Sequence, residues 1–286
     1  MKIEWINELT AVQKLAARTL IRQVLSYDGT FREPYLSNQL NFDVTMPAFF
    51  MAYEGKELVG LLTVYADDEK AEICLLVAPE WRRQGIARKL FETFIRETAD
   101  FALEEICLVT ERRFLEANPT LLEHWNGKLE DYSEYWLGRD RTPFDLEHRE
   151  DLLVTKAGQE HVETIARFQA QTFDNPIEQS RRYAQKAVED EESLLYLVVK
   201  AGKVLASCTV DHSSDSNYLF GLAVAEGYRG QGIGTYLVKS LINDRILQDT
   251  RPFQIVVEAD NPQARRLYER LGFAEQREVL SVKVSS

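Results

Sequence analysis

Arg229, Gly230, Gln231, Gly232, Ile233 and Gly234 have the types and spacing to hold an anion. They follow an apolar run ending at Val224. They lead into Ile233, Leu237, Val238, Leu241 and Ile242, the spacing of one helix face. A turn so placed aims several backbone N–H groups and a helix start at one point. Its glycines let the backbone approach a bulky phosphate with no Cβ atoms in the way. Hydrogen bonds to a charged group contribute about 1.5–3 kcal/mol each, against roughly 0.3–1 kcal/mol for an exposed helix dipole, so the amides make the grip.

The chain carries this arrangement twice. Arg82, Gly85 and Ala87 stand 147 residues upstream (Arg82 against Arg229), and Ile86, Leu90, Phe91, Phe94 and Ile95 repeat the apolar offsets of the second helix. A duplicated domain is the economical reading. Two other phosphate loops are excluded. No Gly-x-x-x-x-Gly-Lys run followed by Ser or Thr occurs, and the glycines are not spaced Gly-x-Gly-x-x-Gly at the opening of a domain.

Arg229-x-x-Gly232-x-Gly234 at a strand–helix junction resembles the acetyl-CoA loop of the GNAT superfamily of N-acetyltransferases. Asn261-Pro-x-Ala264-x-x-Leu267-Tyr268-x-x-Leu271-Gly272-Phe273 resembles that family's last motif. The resemblance covers the second half well, and the first half through its loop and strand order. It implies an α/β fold of two tandem GNAT-like domains, each a mostly antiparallel central sheet flanked by helices. The expected layout is a degenerate N-terminal domain over 1–140, a linker over 141–150 and a catalytic C-terminal domain over 151–286.

The resemblance also implies a function: an acetyl-CoA-dependent N-acetyltransferase acting on a primary amine of a small molecule or peptide. Acetyl-CoA is the expected co-substrate, its pyrophosphate held at Arg229–Gly234. Backbone amides of Leu222, Ala223 and Val224 would bind the pantetheine arm and polarise the thioester. Asn261 would hydrogen-bond the cofactor; before Pro262 it is equally placed to cap a helix. Arg82, Gly85 and Ala87 keep the loop pattern, so cofactor binding there is also open. The alternative is a coenzyme-A-binding sensor or scaffold with both sites silent.

Tyr268 matches the family's general acid toward the coenzyme sulfur. A phenol near pKa 10 is a weaker acid than a thiol near 8.5, so full proton transfer is uphill by roughly 2 kcal/mol. Hydrogen bonding to the departing sulfur is the more defensible role. A base is not evident: some relatives place Glu where this chain has Val256, and Glu258, Asp211, His212 or a water chain remain as alternatives. In the first half Trp125 stands at the matching separation from Asn118. An indole N–H cannot act as an acid in this pH range, and Tyr132 and Tyr135 are off position.

The elements that would position these groups follow from periodicity. Strands are predicted at Ile3–Ile6, Ala48–Tyr53, Glu57–Tyr65, Glu72–Val77, Glu105–Thr110 and Tyr132–Leu137. A helix over Leu9–Leu25 is predicted to bury Val12, Leu15, Ala16, Thr19 and Leu20. A short helix is expected within 26–45, and Asn118-Pro119 is expected to open another. The second half repeats the order, closing with a strand at Glu278–Val284.

Composition bounds the rest. A net charge of −12 with 45% hydrophobic residues describes a globular chain that does not bind nucleic acid over a broad surface. No apolar run reaches membrane-span length and no signal core stands at the N-terminus, so no membrane partner is expected. Cys74, Cys107 and Cys208 lie singly in apolar stretches, the usage of a reducing cytoplasm. The four histidines lack metal-ligand spacing, and no metal is expected. The assembly is expected to be a monomer or homodimer.

Overall fold

The computed structural model describes residues 1–284, a mixed α/β chain whose sheet pairings are mostly antiparallel. The chain forms two compact units: Met1–Glu134 with the segment that begins at Arg277, and Tyr135–Gln276.

The first unit contains β1 (Lys2–Ile6), α1 (Ala11–Asp28), β2 (Phe49–Glu54), β3 (Glu57–Tyr65), β4 (Lys70–Val77), α2 (Ile86–Glu97), β5 (Glu105–Glu111), α3 (Arg112–Ala117) and α4 (Leu121–His124). β6 (Lys128–Arg139) passes from the first unit to the second after Glu134. The second unit continues with β7 (Leu153–Lys156), α5 (Val162–Phe173), α6 (Ile177–Glu189), β8 (Ser193–Lys200), β9 (Lys203–Asp211), β10 (Asn217–Val224), α7 (Ile233–Ile246), β11 (Phe253–Glu258) and α8 (Pro262–Arg270). β12 (Ala274–Lys283) returns to the first unit at Arg277.

Strand order in the first unit is β1-β2-β3-β4-β5-β12-β6, and in the second β6-β11-β10-β9-β8-β7. β4 and β5 are parallel, as are β10 and β11; β1 through β4 and β7 through β10 pair antiparallel. The closing strands correct the sequence reading. β12 does not close the second unit: its residues Val279–Lys283 pair antiparallel with Glu111–Cys107 of β5. The latter part of β6 lies beside β11 instead. A period-2 strand pattern marks a strand without naming its neighbour, so alternation alone does not reveal this exchange.

Each unit buries its sheet between helices. α2 covers one face of the first sheet through Ile86, Leu90 and Phe94, against Phe50, Leu62 and Ile73. α7 does the same in the second unit through Ile233, Leu237 and Leu241, against Leu219 and Ile255. α1 covers the other face of the first sheet, with Leu20 buried and Ala16 half-buried as predicted but Val12, Leu15 and Thr19 exposed. Ala17, Leu20, Ile21 and Val24 are buried, while Val12 and Leu15 are 79% and 67% exposed. The capping box of Thr10 with Gln13 fixes where α1 starts, and the buried face begins one turn later than the sequence reading put it.

Three further differences bear on the site. Residues 30–38 form no helix; the Phe31 and Arg32 amides donate to Glu111 Oε1 at 2.6 Å each. Asn118 does not open a helix but ends α3, its Nδ2 donating to the Phe114 carbonyl at 2.9 Å. The connector after β6 is pinned along α7: Phe144 exchanges two hydrogen bonds with Asn243, and Arg141 donates to the Ile246 and Asp249 carbonyls.

Candidate functional site

In the second unit β10 and β11 pair only at Asn217–Leu219. Past Leu219 the two strands part, leaving the β11-facing edge of β10 free at Phe220–Val224. On its other edge β10 pairs with β9, and the register breaks between Phe220 and Ala223, a bulge with Gly221 at φ 62°. A bulge turns successive backbone groups out of the ladder. Leu222, Ala223 and Val224, predicted to offer amides, therefore lie where strand pairing does not consume the β11-facing edge.

The glycine turn comes at once. A short 3-10 turn at Glu226–Tyr228 leads to Gly230 at φ 76° and Gly232 at φ 75°, and Gly232 caps α7. A Cβ placed on Gly230 or Gly232 would meet no atom within 4 Å, so the space over the turn is open. The Arg229 Nε donates to the Val224 carbonyl at 3.2 Å, and the Gln231 side-chain Nε2 donates to the Gly227 carbonyl at 3.2 Å. These bonds lock the turn and leave the backbone N–H groups at the head of α7 facing outward. Gly234 lies within α7, where a Cβ would come to 3.2 Å from Val224, so a small residue lets helix and strand pack closely.

The first unit repeats this backbone. Pro79–Trp81 form the 3-10 turn, Gly85 caps α2 at φ 77°, Arg82 Nε donates to the Val77 carbonyl at 3.0 Å, and Gln84 donates to the Glu80 carbonyl. Side chains separate the two copies. Arg82 gives both terminal nitrogens to the Asp28 carboxylate at 2.7 Å each and lies over the Tyr27 ring. Among the described residues no carboxylate pairs with Arg229. Arg83, where the second turn has Gly230, is forced to φ 62°. β4 pairs with β3 in unbroken register from Tyr65↔Glu72 to Gly60↔Val77, with no bulge. Ala87 sits at the head of α2, in the place of Gly234.

Sequence reasoning missed Arg149. Its guanidinium donates to the Gln231 carbonyl at 3.3 Å and pairs with Asp151, while Lys200 also bonds Asp151. Two cations thus share one carboxylate, and Arg149 brings its guanidinium to the backbone of the second turn. These salt bridges hold the Asp151 carboxyl down to about 2. The signal was obscure because Arg149 lies in a segment read only as a connector.

Tyr268 on α8 is 7% exposed and packs edge-on to Phe273. Burial, reinforced by the nearby Cys208, pushes its phenol above the usual range. Its hydroxyl bonds no described residue. Asn261 caps α8, its Oδ1 accepting from the Ala264 N–H at 3.0 Å, which leaves its Nδ2 donors for another partner. In the first unit α4 is a single turn, and Trp125 packs against Phe91 and His124 as a core residue. Tyr132 donates to Glu134, and Tyr135 belongs to the second unit, under Arg265.

The candidate bases are scattered. Asp211 pairs in register with Tyr218 and accepts the Ser213 N–H. Burial, then Arg245 and Arg251, lowers the pKa of His212, keeping it neutral at pH 7. Glu258 lies at the exposed end of β11, and Val256 remains apolar. The thiols are unreactive in kind: burial raises Cys74, pushes Cys107 up to about 11 and Cys208 up to about 12. One cluster of metal-ligating types occurs among the described residues, Glu105, Cys107 and Glu130. Lys70 bridges its two carboxylates at 3.2 and 2.9 Å, and Lys283 adds a second ammonium, supplying the charge a cation would bring.

Twice over, then, a parallel strand pair opens beside a glycine turn that caps a helix, an arrangement with the backbone to hold an anion. The chain belongs to the acetyltransferase (GNAT) family, whose model matches residues 15–118 and again 160–273. Among solved structures it is similar to a GCN5-related N-acetyltransferase from Sphaerobacter thermophilus, with TM-score 0.71 and 17% identity over 98% of this chain and 95% of that one. It is also similar to a tandem GNAT protein of the clavulanic acid biosynthesis pathway, with TM-score 0.69 and 15% identity over 99% and 98%. At these identities the likeness is one of fold. In sequence, 62 residues are 37% identical to the mycothiol acetyltransferase of Corynebacterium efficiens, 22% of this chain and only 21% of that protein. No helix among the described residues is long and apolar enough to cross a membrane.

Proposed function

We propose that this chain transfers an acetyl group from acetyl-CoA to a primary amine of a small molecule or peptide, with the chemistry in the second unit. One observation carries the reading. Only in the second unit do the strand bulge, the open glycine turn and an arginine with no carboxylate partner occur together among the described residues. The donor set fits a diphosphate: the α7 N-terminal amides, open space above Gly230 and Gly232, and the positive charge of Arg229 and Arg149.

Acetyl-CoA, when bound, supplies an acetyl thioester ready for attack. The chain's part is to hold and polarise it. Amides of Leu222 and Val224, on the strand edge that leaves β11, are placed to donate to the carbonyl oxygen as negative charge grows there, while Ala223 between them pairs with Ser207 of β9. Asn261 Nδ2 is free to donate alongside them, since its Oδ1 is spent on Ala264. Tyr268, with its pKa raised by burial, keeps its proton and donates a hydrogen bond to the departing sulfur rather than giving the proton up. No acid replaces Val256 on β11, so the amine loses its proton to water or to Asp211, which shares a sheet face with Tyr218. A cytoplasmic location is part of the proposal and rests on three unpaired cysteines; action as a monomer or homodimer, without nucleic acid or membrane, is a separate part of it.

Thiol release from acetyl-CoA across a panel of primary amines tests this. Release dependent on amine and abolished by Gly232→Trp supports transfer at the second turn. Calorimetric binding of coenzyme A without release on any amine would replace it with the sensor reading.

A further inference from the structure

On the α5-facing side of the second sheet three aromatic rings stand in a row. Trp136 of β6 stacks on Tyr218 of β10 with centroids 5.2 Å apart and planes 10° from parallel. Tyr218 stacks on Phe220 at 5.7 Å and 16°. Tyr218 and Phe220 are two apart on one strand and so share a face. All three are half-buried. Most other ring pairs in this protein are edge-on or tilted, so a run of parallel faces is a local feature.

The row ends at Phe220, where the side chains become small. Gly221 comes next, and a Cβ placed on it would meet nothing within 4 Å. The bulge then carries Leu222 to the opposite face, where it packs into the core under α7, while small Ala223 packs with the α5 side. Past Phe220 the strand therefore steps to a residue with no side chain, and the place a Cβ would take there is open. That step lies at the bulge, beside the amides of Leu222–Val224.

We infer that the acceptor is an amine carrying a flat aromatic group, whose ring extends the Trp136–Tyr218–Phe220 stack over Gly221 and so brings its nitrogen to the bulge. The inference rests on the acetyl-transfer reading of this site and names its substrate class. A saturated ring of equal size buries the same apolar area but cannot stack, so the difference isolates the ring faces. An aromatic pair of this geometry contributes roughly a two- to twelvefold gain in affinity beyond area burial.

Calorimetry with the full chain saturated with coenzyme A, titrating 2-phenylethylamine and 2-cyclohexylethylamine separately, reads this directly. The phenyl amine binds at least threefold tighter, and Phe220→Leu, which keeps apolar bulk and removes the ring face, brings the ratio to about one. Equal affinities in the wild-type chain, tighter binding of the cyclohexyl amine, or no binding of either overturns the inference whatever the variant does. A preference that survives Phe220→Leu with coenzyme A binding intact also overturns it. The ratio is read at equilibrium without acetyl transfer. A chain that binds the phenyl amine yet releases no thiol from acetyl-CoA refutes the proposed reaction and leaves the aromatic subsite standing.

Discussion

At the first glycine turn the Arg82 guanidinium is clasped by both oxygens of Asp28; at the second, Arg229 meets no described carboxylate. The backbones are otherwise alike, from the 3-10 turn to the capping glycines at 77° and 75°. The difference teaches that geometry and charge can diverge separately after duplication. The turn survives in the first unit because it joins β4 to α2 and packs a core, whether or not anything binds. Its charge is cancelled by a residue 54 positions away. A diphosphate arriving there meets a neutral ion pair, and forgoes the roughly 1–4 kcal/mol of attraction that a free cation at about 4 Å would supply, depending on exposure. The unbroken β3–β4 register adds a second barrier, since no bulge turns amides toward a ligand. Cys74 stands 147 residues before Gly221 (74 against 221), and an L residue resists the φ of 62° that the bulge uses.

The sharpest way to break the comparison is a matched pair of substitutions. Gly232→Trp and Gly85→Trp strain equivalent positions at φ 75° and 77°, and a Cβ at either meets no atom within 4 Å, so the stability losses should match at about 1–2 kcal/mol. Coenzyme A affinity by calorimetry should fall more than about 100-fold for Gly232→Trp, the loss of two or so charged-group hydrogen bonds. It should stay within about twofold for Gly85→Trp. Equal falls would mean that both turns bind. A smaller effect separates holding from chemistry: Tyr268→Phe should lower turnover by about 10- to 100-fold, as expected for one hydrogen bond to a charged leaving group, while coenzyme A affinity is unchanged. Unchanged turnover would leave the phenol a packing residue against Phe273.

Much of this was legible from the sequence. The turns were visible because glycines at positive φ and a helical apolar face are local properties, written in adjacent residues. Tyr268 and Asn261 are proposed through motif spacing, which is written along one helix and its cap. What stayed hidden is non-local. Asp28 ends α1 and reads as an ordinary surface acid until the fold brings it to Arg82. Arg149 reads as a connector residue until Phe144 and Arg141 dock that segment on α7. The exchange of β6 and β12 leaves no trace in alternation, and the face of α1 was misjudged because Val12 and Leu15 are apolar yet exposed. The stack of Trp136 on Tyr218 joins strands more than 80 residues apart (136 against 218).

Removing the Asp28 charge sharpens the comparison further. Asp28→Asn should let the first turn take up coenzyme A weakly, raising calorimetric stoichiometry from one toward two with a second site at least about tenfold weaker. Turnover should not rise, because no phenol stands at the place of Tyr268. A stoichiometry fixed at one would assign the silence of the first turn to its missing bulge rather than to its charge.

The smallest effect concerns Arg83 and Gly230, equivalent positions that both sit at positive φ, 62° and 76°. A non-glycine residue there costs roughly 1–2 kcal/mol, while glycine spends up to about 1 kcal/mol in unfolded-chain entropy. Arg83→Gly should therefore raise stability by up to about 1 kcal/mol, and Gly230→Arg should lower it by a similar amount, read as opposite shifts in the urea midpoint at constant slope. Coenzyme A affinity adds the second axis. Arg83→Gly should leave it alone, whereas Gly230→Arg should weaken it by placing a side chain in the open space over the turn. If both changes moved stability the same way, strain would not distinguish the copies. The first turn's arginine would then be a residue the fold accommodates without cost, and charge and bulge alone would have to account for the difference between the two units.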